Sequence, residues 1–433
     1  MKNLKVLSCW VVLVCAIVAF ATPAICEVRV AKPELVGLSS ERIQRIAGVM
    51  NQEVAKGSFP GAVVLLARNG KVALFGAYGY LDGKKEKPMP KDAIFRIASM
   101  TKPIVTAAAM MMVEQGKINL NDPIFMYLPE FKDMKAEARK TDAEGKTSYE
   151  IVPASRPILI QDLMRHTSGF TYGAFGERSE NIAKAYNEAD LMAAKSNLTS
   201  DEMIKRLAQI PLAFQPGTKF EYGMSVDVLG ILMEKVAGKG LDEILREMIF
   251  TPLKMKDTAF YVPPEKVSRL ADVYDSDPQK AGLSATIRVQ DNPAGKRYFA
   301  GGSGLASTAE DYFRFAQMIL NGGALDGTRL LSKKTVEFML SNHLIDIDKN
   351  SMVLRYAAGP GYGFGLGFAV RLHEGFSWAP GSKGDAGWTG ILGTIFTVDP
   401  KEKLVGVLMN QAPTPRVHSW YLFKNLLYGA VIQ

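Results

Sequence analysis

Strand-like sequence stands near both ends of this chain, with helix-like sequence between, a pattern that suggests one sheet assembled from the two chain ends. Gly61 to Ala67 and Lys71 to Tyr80 are apolar and β-branched, and Asn69-Gly70 between them is a hairpin signal. Strand character returns in Tyr362 to Val370, Ile391 to Val398 and Leu404 to Asn410, with Asp399-Pro400 as the turn between the last two. Helical periodicity covers Ser99 to Gln115, where Ile104, Ala107, Ala108, Met111 and Met112 form an apolar face and Gly116 ends the run. It covers Ser225 to Ala237, where Val226, Leu229, Met233 and Val236 share a face and Gly238 follows. Ser307 and Glu310 make a capping-box pattern leading into Tyr312 to Leu320, and a last helix is expected from Ser419 to Val431. The expectation is an α/β fold: one sheet flanked by helices (27–115 and 300–433) and a mainly helical lobe (116–299) across a cleft, all within one domain. The segment from Asn119 to about Gln215 reads as an inserted lobe, with an irregular region from Thr171 to Glu180.

The size and composition fit that picture. The chain has 433 residues, 47% hydrophobic and 22% charged, which is a globular composition and excludes a disordered or collagen-like chain. Lys2 and Lys5 precede an uncharged apolar run from Val6 to Ala21, the layout of a secretory leader over 1–26. Cleavage after Ala21 or after Cys26 would satisfy the small-residue rule, and Cys26 is preferred; the competing reading is an uncleaved anchor. The mature protein is then exported, periplasmic or secreted, with no stable membrane span. Cys9, Cys15 and Cys26 leave with the leader, so neither disulfides nor thiol chemistry remain.

Several function classes drop out. The net charge of +8 is spread thinly, without a basic stripe, so no nucleic-acid partner is expected. His166, His343, His373 and His418 show no metal-ligand spacing, so no metal site is expected. Gly359, Gly361, Gly363, Gly365 and Gly367 alternate through an apolar stretch instead of forming a dinucleotide-binding turn, and no cofactor is expected.

Three short elements carry candidate chemistry. Ser99-Met100-Thr101-Lys102 is the only S-x-x-K in the chain, at a strand-to-helix junction that puts Ser99 and Lys102 on one face. A serine hydroxyl needs a neighbouring base, and a neutral lysine can serve. The free amides of a helix N-terminus can also hold an oxyanion there. Tyr222 stands in Pro216-Gly217-Thr218-Lys219-Phe220-Glu221-Tyr222, a turn ahead of the second helix, where a phenol could pass protons or simply pack. Gly387-Trp388-Thr389-Gly390-Ile391 opens a strand whose glycines admit a substrate carbonyl, and an N–H beyond Gly390 could complete an oxyanion hole.

In this order, the three elements resemble the serine β-lactamase and penicillin-binding-protein superfamily, whose S-x-x-K, Tyr and K-T-G motifs line one cleft. Phe59-Pro60-Gly61, His166-Thr167-Ser168-Gly169, Pro252-Leu253-Lys254-Met255 and Gly301-Gly302-Ser303-Gly304 extend the likeness over most of the mature chain. Class C β-lactamases carry Y-x-N and a third motif that begins with Lys, whereas Met224 and Trp388 stand at those positions here. That apolar pair is similar to the family VIII carboxylesterases, and no G-x-S-x-G pentad of an ordinary esterase occurs.

The resemblance implies a β-lactamase/DD-peptidase-like fold and a small-molecule ester as substrate. It implies that Ser99 attacks the ester carbonyl and that Lys102 and Tyr222 share acid and base work. The amides of Ser99 and Ile391 would hold the oxyanion, and Trp388, Gly390 and Met224 would line the substrate site. His166 is expected to be structural. The alternatives are a β-lactamase or D-amino-acid peptidase, and a catalytically silent cell-envelope binding protein on the same fold.

Overall fold

The computed structural model describes residues 28–173, 179–191, 197–274, 298–347 and 358–433. The leader expected over 1–26 lies outside the described residues. Helix α1 (Ser40–Ala55) is followed by strands β1 (Gly61–Arg68) and β2 (Lys71–Gly79), the short strand β3 (Phe95–Arg96) and helix α2 (Thr101–Glu114). The middle of the chain holds strands β4 (Lys135–Thr141) and β5 (Thr147–Pro153) and helices α3 (Ile160–Met164), α4 (Glu180–Glu188), α5 (Ser200–Leu207), α6 (Ser225–Ala237) and α7 (Leu241–Leu245). Strand β6 (Ala306–Ser307), helix α8 (Ala309–Leu320), the small hairpin β7 (Ala324–Leu325) and β8 (Thr328–Arg329), and helix α9 (Lys333–Met339) come next. The chain closes with β9 (Tyr362–Phe364), β10 (Ala369–Arg371), β11 (Ala386–Thr389), β12 (Ile395–Asp399), β13 (Leu404–Asn410) and helix α10 (Arg416–Gly429).

The main sheet has the order β2-β1-β13-β12-β11-β10-β9, antiparallel throughout, and is built from the two chain ends as expected. Its join is the β1–β13 ladder, from Ala62 opposite Asn410 to Arg68 opposite Leu404. Every residue of β1 is buried, because both sheet faces are covered. The period of two splits the strand between two cores. Ala62, Val64 and Leu66 pack with Ile43, Ile46 and Met50 of α1 and Trp420, Phe423 and Leu427 of α10. Val63, Leu65 and Ala67 belong to the larger core with Phe315 and Ile319 of α8 and the residues of α2. Each large aliphatic side chain so enclosed contributes about 1.5–3 kcal/mol. The chain ends meet as well: Ser39 N–H donates to the Ala430 carbonyl at 2.9 Å and Ile432 N–H to that of Gly37 at 3.0 Å.

Helix α2 is buried from Thr101 to Met112, in keeping with apolar sequence on every side of it. A residue at its start is therefore held by core on all sides. α6, ending at Gly238 as the sequence predicts, is likewise buried from Ser225 to Met233.

Several boundaries differ from expectation. The hairpin β4–β5, with Lys135 opposite Pro153 and Thr141 opposite Thr147, stands within the stretch read as an inserted lobe, in a region expected to be mainly helical. Tyr362 to Val370 is two strands, reversed where Gly365 N–H donates to the Phe368 carbonyl at 2.8 Å. Ile391 lies in a turn, closed by Gly393 N–H donating to the Gly390 carbonyl at 2.9 Å, and the strand resumes only at Ile395. Ser307 sits in β6 and bonds Thr258, while Thr308 caps α8 by accepting from Asp311 N–H at 3.1 Å. α10 starts at Arg416, ahead of the expected Ser419.

Candidate active site

Ser99 lies in a single 3-10 turn, Ala98–Met100, that runs directly into α2. Its neighbour Ala98 has φ 45°, a left-handed conformation that costs a non-glycine residue about 1–2 kcal/mol. The surroundings hold that strain. Ile97 N–H donates to the Leu305 carbonyl at 3.0 Å, Tyr312 Oη to the Met100 carbonyl at 2.9 Å, and Leu305 N–H to Thr101 Oγ1 at 3.2 Å. The result is a sharp bend that leaves Ser99 half-buried while its flanks are in the core.

One helical turn on, Lys102 is 1% exposed. Its Nζ is 2.7 Å from the Gly302 carbonyl, 3.2 Å from Tyr172 Oη and 3.4 Å from Ser99 Oγ. It also lies over the Tyr222 ring, 4.4 Å from the centroid. The structure thus brings together Ser99, Lys102 and Tyr222, from segments far apart in sequence.

Tyr222 is 5% exposed, and its hydroxyl accepts from Trp388 Nε1–H at 3.1 Å. An indole nitrogen only donates, so the phenol hydrogen is left to point elsewhere. Tyr222 is wedged between the Trp388 ring at 5.3 Å and the His166 ring at 4.6 Å, centroid to centroid. His166 is fully buried, and its Nδ1 lies 3.5 Å from Gly223 N–H, as acceptor, while its carbonyl accepts from Glu221 N–H at 2.9 Å. Burial, reinforced by the Lys102 charge, holds its pKa well below the usual imidazole value, so the ring is neutral and packs against Tyr222 instead of exchanging protons.

The third element ends against the first. A side chain at Gly390 would put its Cβ 2.3 Å from Thr394 Oγ1 and 2.5 Å from the Ile97 carbonyl, so only glycine lets this turn approach the Ser99 segment. Thr394 Oγ1 ties the two by donating to the Ile97 carbonyl at 3.3 Å. Ile391, half-buried, follows Gly390 in that turn. Trp388 is 2% exposed, its ring tilted against Tyr222 and edge-on to Phe364, and its indole N–H adds the polar contact to Tyr222. Met224 is 1% exposed at the start of α6, within the core.

Tyr172 was missed by sequence reasoning. It closes the stretch His166-Thr167-Ser168-Gly169-Phe170-Thr171-Tyr172 at the start of the region read as irregular. Its phenol reaches the same amine as Ser99, and burial, followed by Asp227, Tyr222 and Tyr298, pushes its pKa well above the ordinary phenol value. The available signal was a phenol directly after the His166 motif, which spacing alone does not connect to Lys102.

Among the described residues, no group of three or more His, Cys, Asp or Glu side chains could hold a metal ion, and no helix is long and apolar enough to cross a membrane.

Comparison with known proteins places this geometry in company. A family model described as Beta-lactamase matches residues 46–424. Protein Rv1367c of Mycobacterium tuberculosis is 36% identical over 352 residues, covering 81% of this chain and 85% of that protein. Esterase EstB of Burkholderia gladioli is 28% identical over 376 residues, covering 82% of this chain and 86% of that protein. Among solved structures, EstCE1, described as a hydrolase with promiscuous acyltransferase activity, matches with a TM-score of 0.74 at 27% identity, covering 91% of this chain and 98% of that one.

Proposed function

The chain belongs to the Beta-lactamase family, and from that premise we propose that this serine hydrolase is a carboxylesterase working through an acyl-enzyme on Ser99. The observation that carries the reading is the set of three oxygens around the Lys102 amine. A charged amine has three N–H donors, one for each of them. A neutral amine has two N–H donors for the Gly302 carbonyl and Tyr172 Oη, and a lone pair facing the Ser99 hydroxyl. Moving the proton from Ser99 to Lys102 therefore leaves every partner in place, and only the 3.4 Å contact has to shorten.

In the proposed reaction the Ser99 hydroxyl gives its proton to Lys102 as Oγ bonds the ester carbonyl carbon. The negative charge that develops on the carbonyl oxygen is held by the amides of Ser99, at the head of α2, and Ile391. Collapse breaks the bond to the alcohol oxygen, which takes a proton from Lys102 or Tyr222 and leaves. Water then attacks the acyl-Ser99 carbonyl, losing its proton to the same pair, and release of the acid returns hydrogen to Ser99 Oγ.

Trp388, at the position where the resemblance puts a Lys, offers no charge to a β-lactam or peptide, which favours neutral acyl substrates. The leader read over 1–26 makes this an exported enzyme, periplasmic or secreted.

The test is hydrolysis of p-nitrophenyl butyrate and nitrocefin by the wild-type protein and by Ser99→Ala. The expected result is ester turnover exceeding nitrocefin turnover in kcat/KM, and loss of both in the variant, together with loss of fluorophosphonate labelling. Full ester activity in Ser99→Ala overturns the assignment. Nitrocefin turnover ahead of the ester in wild type moves the protein to the β-lactamase reading, and failure of the probe to label wild-type Ser99 moves it to a silent binding protein.

A further inference from the structure

Behind Lys102 stands a buried carboxylate that the hydrolytic steps leave without a task. Asp227, in the first turn of α6, is 3% exposed and makes no ion pair among the described residues. Its Oδ1 accepts from Gly302 N–H at 3.1 Å, and the carbonyl of the same Gly302 takes the shortest of the three Lys102 contacts, 2.7 Å. A Cβ on Gly302 would stand 2.3 Å from Asp227 Oδ2, so no side chain fits there while the carboxylate keeps its place. Gly301-Gly302 thereby connects the α6 carboxylate to the α2 amine through a single residue.

We infer that Asp227 is a positioning residue for the reacting amine: it grips Gly302 so that the carbonyl keeps Lys102 aimed at Ser99. The inference rests on the hydrolytic reading above. A buried carboxylate without a contacting cation is costly, and the charge available to offset it is that of Lys102. Burial raises the Asp227 carboxyl above its usual range, and the Lys102 charge and then the Gly302 amide pull it back. Among the described residues, the other titratable groups facing the pair are His166, Tyr172 and Tyr222, and of these His166 is held neutral and Tyr172 is held as a phenol by burial.

The experiment compares Asp227→Asn, which keeps an acceptor for Gly302 but loses the charge, with Asp227→Ala, which loses both. Both are assayed in the full chain with p-nitrophenyl butyrate across the pH range. With Asn, which keeps the acceptor for Gly302 N–H, kcat and KM are expected to stay within about threefold of wild type. With Ala, kcat is expected to fall at least about tenfold at every pH while KM stays within about threefold, the split expected for a lost alignment. An Asp227→Ala protein that matches wild type in kcat, or an Asp227→Asn protein no better than Asp227→Ala, alongside an inert Ser99→Ala, overturns this inference and leaves the hydrolytic reading standing. An active Ser99→Ala overturns that reading instead. Should neither Asp227 variant fold, Lys102→Met serves: with the cation gone, its thermal stability should fall more steeply than wild type as pH rises from acid to neutral, since the carboxylate must then ionise uncompensated. An equal slope overturns the inference.

Discussion

Trp388 donates its indole N–H to the hydroxyl of Tyr222 across 3.1 Å, with both side chains almost fully buried. The bond takes up a lone pair of the phenol oxygen, so that its hydrogen faces away from the indole. Trp388→Phe keeps most of the packing and removes the donor. A lost neutral hydrogen bond of about 1 kcal/mol corresponds to a fall in kcat of about five- to tenfold on a short p-nitrophenyl ester. Steady-state kinetics with a thermal melt on the same sample would check this, and an unchanged kcat would show that the indole acts by shape alone. Trp388→Ala is a poorer probe, because emptying that volume costs about 3–5 kcal/mol.

His166 gives the protein a pH signature separate from its activity. Its imidazole stays neutral in the folded state, whereas in the unfolded chain it takes up a proton below about pH 6.5. The unfolded state then binds more protons, so stability rises with pH and is lost as the pH falls through that value, by about 1.4 kcal/mol per pH unit. Asn in place of His166 tolerates its φ of 58° and still offers an acceptor to Gly223 N–H. His166→Asn should therefore show a shallower loss of stability than wild type between neutral and mildly acid pH. Parallel urea titrations across that range are the check, and identical slopes would mean that the ring is protonated when buried.

A second buried group bears on Trp388 from the other end of its strand. Asp385, just ahead of β11, accepts from Arg371 Nε at 2.6 Å, Lys424 Nζ at 3.0 Å and Tyr362 Oη at 2.7 Å, all in the interior. Asp385→Asn keeps the shape and leaves the two cations without this carboxylate. The expected loss is about 3–5 kcal/mol of unfolding free energy by urea denaturation. A loss below about 1 kcal/mol would show that Asp399, bonded to Tyr428 Oη at 2.8 Å in the same region, takes over the compensation.

What could be read from the sequence was what is local. The Ser99–Lys102 pairing follows from helical spacing, and the hairpin of β1 and β2 from Asn69-Gly70 between two β-branched runs. Tyr172 escaped because it meets Lys102 only when the loop after α3 folds over α2, a contact that no periodicity records. The β4–β5 hairpin escaped because its sheet has just two strands and is largely exposed, so Lys135 to Pro153 lacks the apolar alternation of a strand pressed on a core. Ile391 was read as strand from its apolar neighbours, while the reversal closed by Gly390 and Gly393 takes precedence there. At the head of α8, adjacent Ser307 and Thr308 both carry a capping hydroxyl, and pairing of Ser307 with Phe95 leaves the cap to Thr308.

The stitching of residues 37–39 to residues 430–432 makes the described polypeptide nearly a closed loop. Joined there by a short linker and opened instead at the exposed tip between Asp142 and Lys146, the same residues would keep every strand neighbour and the grouping of Ser99, Lys102 and Tyr222, read out in a different order.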